Sequence, residues 1–155
     1  MTTAQDVMIR DVVSVSPDAT IRDMLLLFAD RKVSGAPVLD HGARLVGMVT
    51  IGDLLRHLEA HLPHAMDVFT FVSFYAEKTA LSDRIKDSAS ERVRTIMTAR
   101  RLVSAGPGTG IDVIVDIFGR ERFKKLPVVD EQKEVLGVIS RGDLIRYIVQ
   151  DMLLP

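Results

Sequence analysis

The feature that most constrains this chain is its likeness to itself. Displaced by 90 positions, residues 12–56 overlie residues 102–146 without a gap. Thirteen of those 45 pairs are identical: Val13/Val103, Ser14/Ser104, Pro17/Pro107, Ile21/Ile111, Phe28/Phe118, Pro37/Pro127, Val38/Val128, Asp40/Asp130, Gly47/Gly137, Gly52/Gly142, Asp53/Asp143, Leu54/Leu144 and Arg56/Arg146. Chance gives roughly one match in fifteen, or about three coincidences, so the chain holds two copies of one unit. Thirteen of the remaining 32 pairs set apolar against apolar, as in Met24/Ile114 and Val49/Ile139.

Each copy carries the same pattern. A short β-rich piece (12–15; 102–104) and a proline turn precede a helical spacing of apolar residues at 21, 24, 25 and 28, or at 111, 114, 117 and 118. Thr20 and Thr109 are the expected N-caps, because a threonine oxygen accepts from an unpaired N–H of the first helical turn. Two strands follow (36–39 and 45–50; 126–129 and 135–140), then a second helix (52 to about 61; 142 to about 152). The unit reads β-α-β-β-α, an α+β class with α/β-type layers. A three-stranded sheet of this size cannot cover its own apolar face, so the two units are expected to pack as a pseudo-twofold pair. The partition is 1–58 for the first repeat, 59–90 for an insert and 91–155 for the second repeat. Val7, Met8 and Ile9 precede the first copy as Val93, Ile96 and Met97 precede the second, which predicts a short lead-in helix before each.

Composition narrows the function classes. With 47% hydrophobic and 26% charged residues and a net charge of −1, the chain is neither disordered nor a strong nucleic-acid binder. Its longest stretches free of both charge and proline, such as 68–76, are far shorter than the roughly 20 residues of a membrane span. The N-terminus shows no secretory pattern, so a cytoplasmic location is expected. The absence of cysteine excludes disulfides, thiol catalysis and Cys-based zinc sites.

The strongest chemical signal closes each third strand: Thr50-Ile51-Gly52-Asp53 and Ser140-Arg141-Gly142-Asp143. A hydroxyl at the strand end and a carboxylate three residues on point the same way at a helix start, whose free N–H groups attract anions. A carboxylate accepting two hydrogen bonds suits the vicinal hydroxyls of a ribose, and a hydroxyl beside helix N–H groups suits a phosphate. The competing reading is an Asp that only complements the helix dipole.

With Pro-Val-Val/Leu-Asp, Gly-x-Val/Ile-x and Thr/Ser-x-Gly-Asp-Leu in that order, both units resemble the CBS domain, named for cystathionine β-synthase and found in tandem pairs called Bateman modules. The resemblance covers most of the chain outside the insert. It implies a regulatory protein binding an adenosine-containing ligand (AMP, ADP, ATP, S-adenosylmethionine or a diadenosine messenger) in clefts between the repeats, with Asp53 and Asp143 on the ribose and Thr50 and Ser140 near phosphate or ribose. One implied site joins Ser140 and Asp143 to Ser16, Ile21, Val33 and Ser34. The other joins Thr50 and Asp53 to Gly106, Ile111, Phe123 and Lys124. Val33 and Phe123 supply apolar walls to the adenine, Lys124 and Lys125 are placed to meet phosphates, and Arg141 lies inside the second motif. The bland reading of the lysines is a solvated basic cluster with Arg120 and Arg122. Gly106-Pro107-Gly108-Thr109-Gly110 departs from Ser16-Pro17-Asp18-Ala19-Thr20 and lacks the Gly-Lys-Ser/Thr of a phosphate loop, so it reads as a flexible turn that leaves the second site short of a side chain.

His57, His61 and His64 share a helical spacing that metal ligands use, but Pro63 interrupts it, so solvated or interfacial histidines are expected and no metal. The insert holds four of the eight aromatics; covering an apolar surface or forming a subunit contact suits it better than a membrane surface. No nucleophile–base arrangement emerges, so no enzyme is expected. The resemblance further implies a flat homodimer acting in trans on an effector protein, with no cofactor beyond the regulatory nucleotide. The alternatives are a structural or interaction module that has lost its ligand and mediates dimerisation and, ranked below it, a metal-sensing module using the insert histidines.

Overall fold

A computed structural model describes residues 1–59, 81–121 and 124–155. The aromatic stretch 68–75, His61, His64, Arg122 and Phe123 lie outside the described residues. In chain order the elements are α1 (Ala4–Val7), α2 (Ile21–Arg31), β1 (Gly35–Leu39), β2 (Leu45–Thr50), α3 (Ile51–Leu58), α4 (Leu81–Ala89), a 3₁₀ turn (Val93–Thr95), α5 (Ile111–Arg120), β3 (Lys125–Val129), β4 (Val135–Ser140), α6 (Arg141–Tyr147) and a π-helical turn (Ile148–Leu153).

Each copy is built on one antiparallel hairpin, β1–β2 or β3–β4, in the same register. Asp40 and Asp130 recur because each ties its hairpin tip. Their Oδ1 atoms accept from the N–H of Gly42 and Arg44, and of Gln132 and Glu134, at 2.9–3.0 Å. The two tips then pair across the pseudo-twofold, where Leu45 N–H donates to Lys133 C=O (2.9 Å) and Val135 N–H to Ala43 C=O (3.2 Å). The expected third strand shrinks to one parallel bridge per copy, Val15 with Val38 and Ala105 with Val128. In the first copy Val12 and Val13, which precede the bridge, line a cleft described below.

The caps divide the copies. Thr20 forms a reciprocal capping box with Asp23, its Oγ1 accepting from the Asp23 N–H at 3.1 Å. The expected Thr109 cap is corrected: α5 is capped by Gly110, which stands opposite Thr20, and Thr109 Oγ1 instead accepts from the Gly106 N–H (3.1 Å), closing the turn. The hydroxyl is one residue too early to reach the helix.

Each lead-in docks on the other copy. Ile21 N–H donates to Glu91 C=O (2.8 Å) and Val93 N–H to Ala19 C=O (2.8 Å); likewise Ile111 N–H donates to Thr2 C=O (3.0 Å) and Ala4 N–H to Thr109 C=O (2.8 Å). Ile9 bridges Val138 on β4, and Thr98 bridges Met48 on β2. The two cores follow this exchange. Met24, Phe28, Val38 and Val49 pack with Val93 from the second lead-in, while Ile114, Phe118, Leu126 and Ile139 pack with Ala4 and Met8 from the first. At about 25 cal/mol per Å² of apolar surface buried, neither copy completes its core without the other's lead-in. Within the insert, α4 packs against α2 and α3, and Arg84 donates to Leu58 C=O (2.7 Å).

Candidate functional site

The two Thr/Ser-x-Gly-Asp motifs fold alike. Thr50 and Ser140 end their strands in extended backbone, and the aspartate three residues on closes a capping box. Asp53 Oδ2 accepts from Thr50 N–H (2.8 Å) and Thr50 Oγ1 (3.1 Å); Asp143 Oδ2 accepts from Ser140 N–H and Ser140 Oγ, both at 2.7 Å. The other carboxylate oxygen, Oδ1, accepts from Arg56 Nη2 (2.5 Å) in the first copy and Arg146 Nη1 (3.0 Å) in the second. Both aspartates are buried, at 9% and 8% exposure, whereas their arginine partners are more than half exposed.

Each hydroxyl thus has its proton committed to its own aspartate and accepts from the helix N–H at the same time. Toward a ligand it keeps only acceptor capacity, so it does not donate to a phosphate in this arrangement. Each Oδ1 retains a second lone pair, which lets it take a hydroxyl proton from a sugar while the arginine stays or swings away. Capping and ligand binding are compatible uses of the same carboxylate.

One of these motifs opens on a cleft of about 210 Å³ between the copies, lined by Ile9, Asp11, Val12, Val13, Val33, Pro37, Lys125, Val138, Ser140 and Asp143. Apolar groups from the first copy, among them Val12, Val13, Val33 and Pro37, face the polar corner of Ser140, Asp143 and Lys125 from the second. Lys125 is placed by β3, whose first residue it is, and its Nζ donates to the Gly35 C=O of β1 at 2.9 Å. Burial lowers the ammonium's pKa from its ordinary value, and the Asp143 carboxylate partly opposes that.

Among the residues singled out from sequence, Val33, Ser140, Asp143 and Lys125 come together in this cleft. Ile21 and Ile111 pack in the cores, at 1% and 6% exposure, and Ile21 is absent from the lining of this cleft. Ser16 and Ser34 are exposed and absent from the cleft lining; Ser16 Oγ accepts from the Asp18 N–H (3.2 Å), and Ser34 C=O accepts from the Ile51 N–H (2.9 Å). Arg141 opens α6 and Lys124 precedes β3, both exposed. Sequence reasoning missed Ile9, Asp11 and Val138, because the lead-in exchange that brings residues 9–11 beside β4 leaves no periodic trace. It also placed Lys125 with the other cleft's lysine, although the strand alternation that separates neighbours 124 and 125 was available as a signal.

Around Thr50 and Asp53 the equivalent positions hold different groups: Gly35 of the first copy stands where the other site has Lys125, and Arg101 of the second copy where it has Asp11. His57 Nε2 lies 3.1 Å from Glu91 Oε2, an interfacial pairing. No group of metal-ligating side chains occurs among the described residues.

Comparison with known proteins agrees with this architecture. The family described as CBS domain matches residues 4–60 and 93–150. An uncharacterized protein of Methanocaldococcus jannaschii, MJ1426, is 31% identical over 94% of this chain and 90% of its own length. The chloroplastic CBS domain-containing protein CBSX2 of Arabidopsis thaliana is 29% identical, over 88% of this chain and 58% of its own. The crystal structure of CBSX2 in complex with AMP superposes with a TM-score of 0.72 at 26% identity, covering 97% of this chain and 98% of that one. The inosine-5'-monophosphate dehydrogenase of Aquifex aeolicus is 27% identical over 90% of this chain, but the match spans only 23% of the enzyme, its CBS region. Among the described residues, no helix is long and apolar enough to cross a membrane.

Proposed function

Because the chain belongs to the CBS-domain family and carries two such domains in tandem, we propose that it is a regulatory sensor that binds an adenosine-containing ligand (AMP, ADP, ATP or S-adenosylmethionine) between its repeats. The observation that carries this reading is the cleft where the apolar side chains of one copy face Ser140, Asp143 and Lys125 of the other. A flat apolar wall accommodates a purine, the spare lone pair on Asp143 Oδ1 accepts from a ribose hydroxyl, and the Lys125 ammonium attracts a phosphate. The AMP held by the related CBSX2 supports the same ligand class. The equivalent groups around Thr50 and Asp53, with Lys124, form the second site in this reading, and the organisation is 1–58, 59–90 and 91–155.

Nothing in the cleft is arranged for bond making, so the output is conformational. A ligand that touches both copies favours whichever mutual arrangement it fits better, by its difference in affinity for the two. That shift is passed through a homodimer of the chain to an effector protein.

Titration with AMP, ADP, ATP and S-adenosylmethionine while following thermal unfolding tests the reading. A ligand preferring the folded state raises the melting temperature, by about 2.7 kcal/mol of stability at a hundredfold excess over Kd. The shift is expected to disappear in Asp143→Ala. No shift with any adenosine compound would leave the module as a ligand-free interaction scaffold, and an undiminished shift in both Asp143→Ala and Asp53→Ala would place binding away from these two aspartates.

A further inference from the structure

The cleft beside Ser140 holds an unequal set of charges, and that inequality restricts the ligand; the inference rests on the adenosine reading above. Its lining side chains include two carboxylates, Asp11 and Asp143, and one cation, Lys125. The arginines that pair with those carboxylates, Arg31 with Asp11 and Arg146 with Asp143 (both 3.0 Å), are not part of the lining. A bound molecule therefore meets the carboxylate side of each pair. Lys125 gives one of its three N–H donors to Gly35 C=O, which leaves two donors and one positive charge for a ligand.

That complement matches a single phosphate group. Each further phosphate adds negative charge for which the described residues of the cleft lining supply no second cation. The volume of about 210 Å³ is also smaller than the roughly 300–1,000 Å³ of sites that enclose drug-sized ligands. A polyphosphate tail would have to leave through the mouth, where the Asp11 side chain stands 86% exposed, held in place by Arg31. The fold does not demand an acid there. At the equivalent positions of the other copy the signs are reversed, with Arg101 in place of Asp11 and Glu121 in place of Arg31.

We propose that this cleft selects an adenosine carrying no more than one phosphate, and that Asp11 is the specificity-determining residue that turns polyphosphates away. The effect is electrostatic and exposed, so it is modest and weakens with salt.

Calorimetric titration of the full chain with AMP and with ATP, at low ionic strength and without divalent cations, tests this on the wild type, Asp11→Asn, Asp11→Arg and Asp143→Ala. AMP is expected to bind about tenfold more tightly than ATP. Asp11→Asn should shrink that ratio by roughly threefold and Asp11→Arg by more, each variant raising ATP affinity more than AMP affinity because ATP carries the larger negative charge. Asp143→Ala should remove AMP binding and the selectivity together. Equal affinity for AMP and ATP in the wild type, a ratio unmoved by either Asp11 variant, or selectivity that survives Asp143→Ala would each overturn this inference and leave the adenosine reading standing. Failure of both nucleotides to bind the wild type would overturn both.

Discussion

In the first copy the hairpin opens with Gly35 opposite Thr50; in the second it opens with Lys125 opposite Ser140. The contrast has a steric cause. A Cβ on Gly35 would lie 3.1 Å from Thr50 Cγ2 and 3.3 Å from Val49 C=O, whereas Ser140 has no methyl at that place and leaves room for a long side chain. One methyl group thus decides which cleft receives an ammonium. Positions identical in the two copies serve the fold, as with the hairpin aspartates and the capping carboxylates. Positions that differ, Gly35/Lys125 and Asp11/Arg101, cluster at the clefts. Two halves of one architecture have kept their scaffold and diverged in the side chains they place beside the Thr/Ser-x-Gly-Asp motifs.

The largest expected effect comes from breaking what the copies share. A Cβ at Gly137 would meet Met8 Sδ at 2.5 Å and Ile9 C=O at 2.9 Å; at Gly47 it would meet Met97 Sδ at 2.9 Å and Thr98 C=O at 3.1 Å. Gly137→Ala should destabilise by about 3 kcal/mol and Gly47→Ala by about 1–2 kcal/mol, the range for overfilled packing. Urea unfolding checks the order, since the tighter approach lies in the second copy. Losses below about 0.5 kcal/mol at both sites would mean that the docked lead-ins are not what excludes a side chain there. The steric contrast at the cleft is the next largest. Gly35→Ala should cost about 1 kcal/mol alone and about half that in a Thr50→Ser background, a coupling that a double-mutant cycle resolves. Strict additivity would remove the Thr50 methyl as the cause.

The legible part of the molecule is the part both copies repeat. Hairpin registers, the α2 and α5 helices and the Thr/Ser-x-Gly-Asp caps follow from local spacing, and repetition raised each signal above chance. The exchanged lead-ins were not legible, because a segment that pairs across the pseudo-twofold has the same local pattern as one that pairs with its own copy. Ile9 and Asp11 reach the cleft only through that exchange. Ile21 shows a related point: identical in both copies, it packs in the core at the start of its helix, as Ile111 does in the second copy. The Thr109 cap failed on a one-residue offset, which sets the next comparison. Thr20→Ala should cost about 1 kcal/mol, the usual loss for an N-cap, and Thr109→Ala about half of that, because its hydroxyl closes only a turn. Equal losses would place the two threonines back in equivalent roles.

The smallest expected effect isolates the cation that one copy has and the other lacks. Burial depresses the Lys125 pKa below its ordinary 10.5, with the Asp143 carboxylate working in the opposite direction. Between the depressed folded value and the unfolded value, the unfolded chain binds more protons than the folded one, so stability rises with pH. At neutral pH the folded state therefore bears the cost of holding a partly desolvated ammonium, and that cost fades as the pH climbs toward 10.5. The wild type should gain stability relative to Lys125→Met across this alkaline window, measured as the difference between the two unfolding midpoints at each pH. Asp143→Asn should widen the window, since it removes the one carboxylate that favours the charged lysine. A flat difference would mean that the ammonium is as well solvated in the cleft as in water. The contrast between Lys125 and Gly35 would then be one of shape alone.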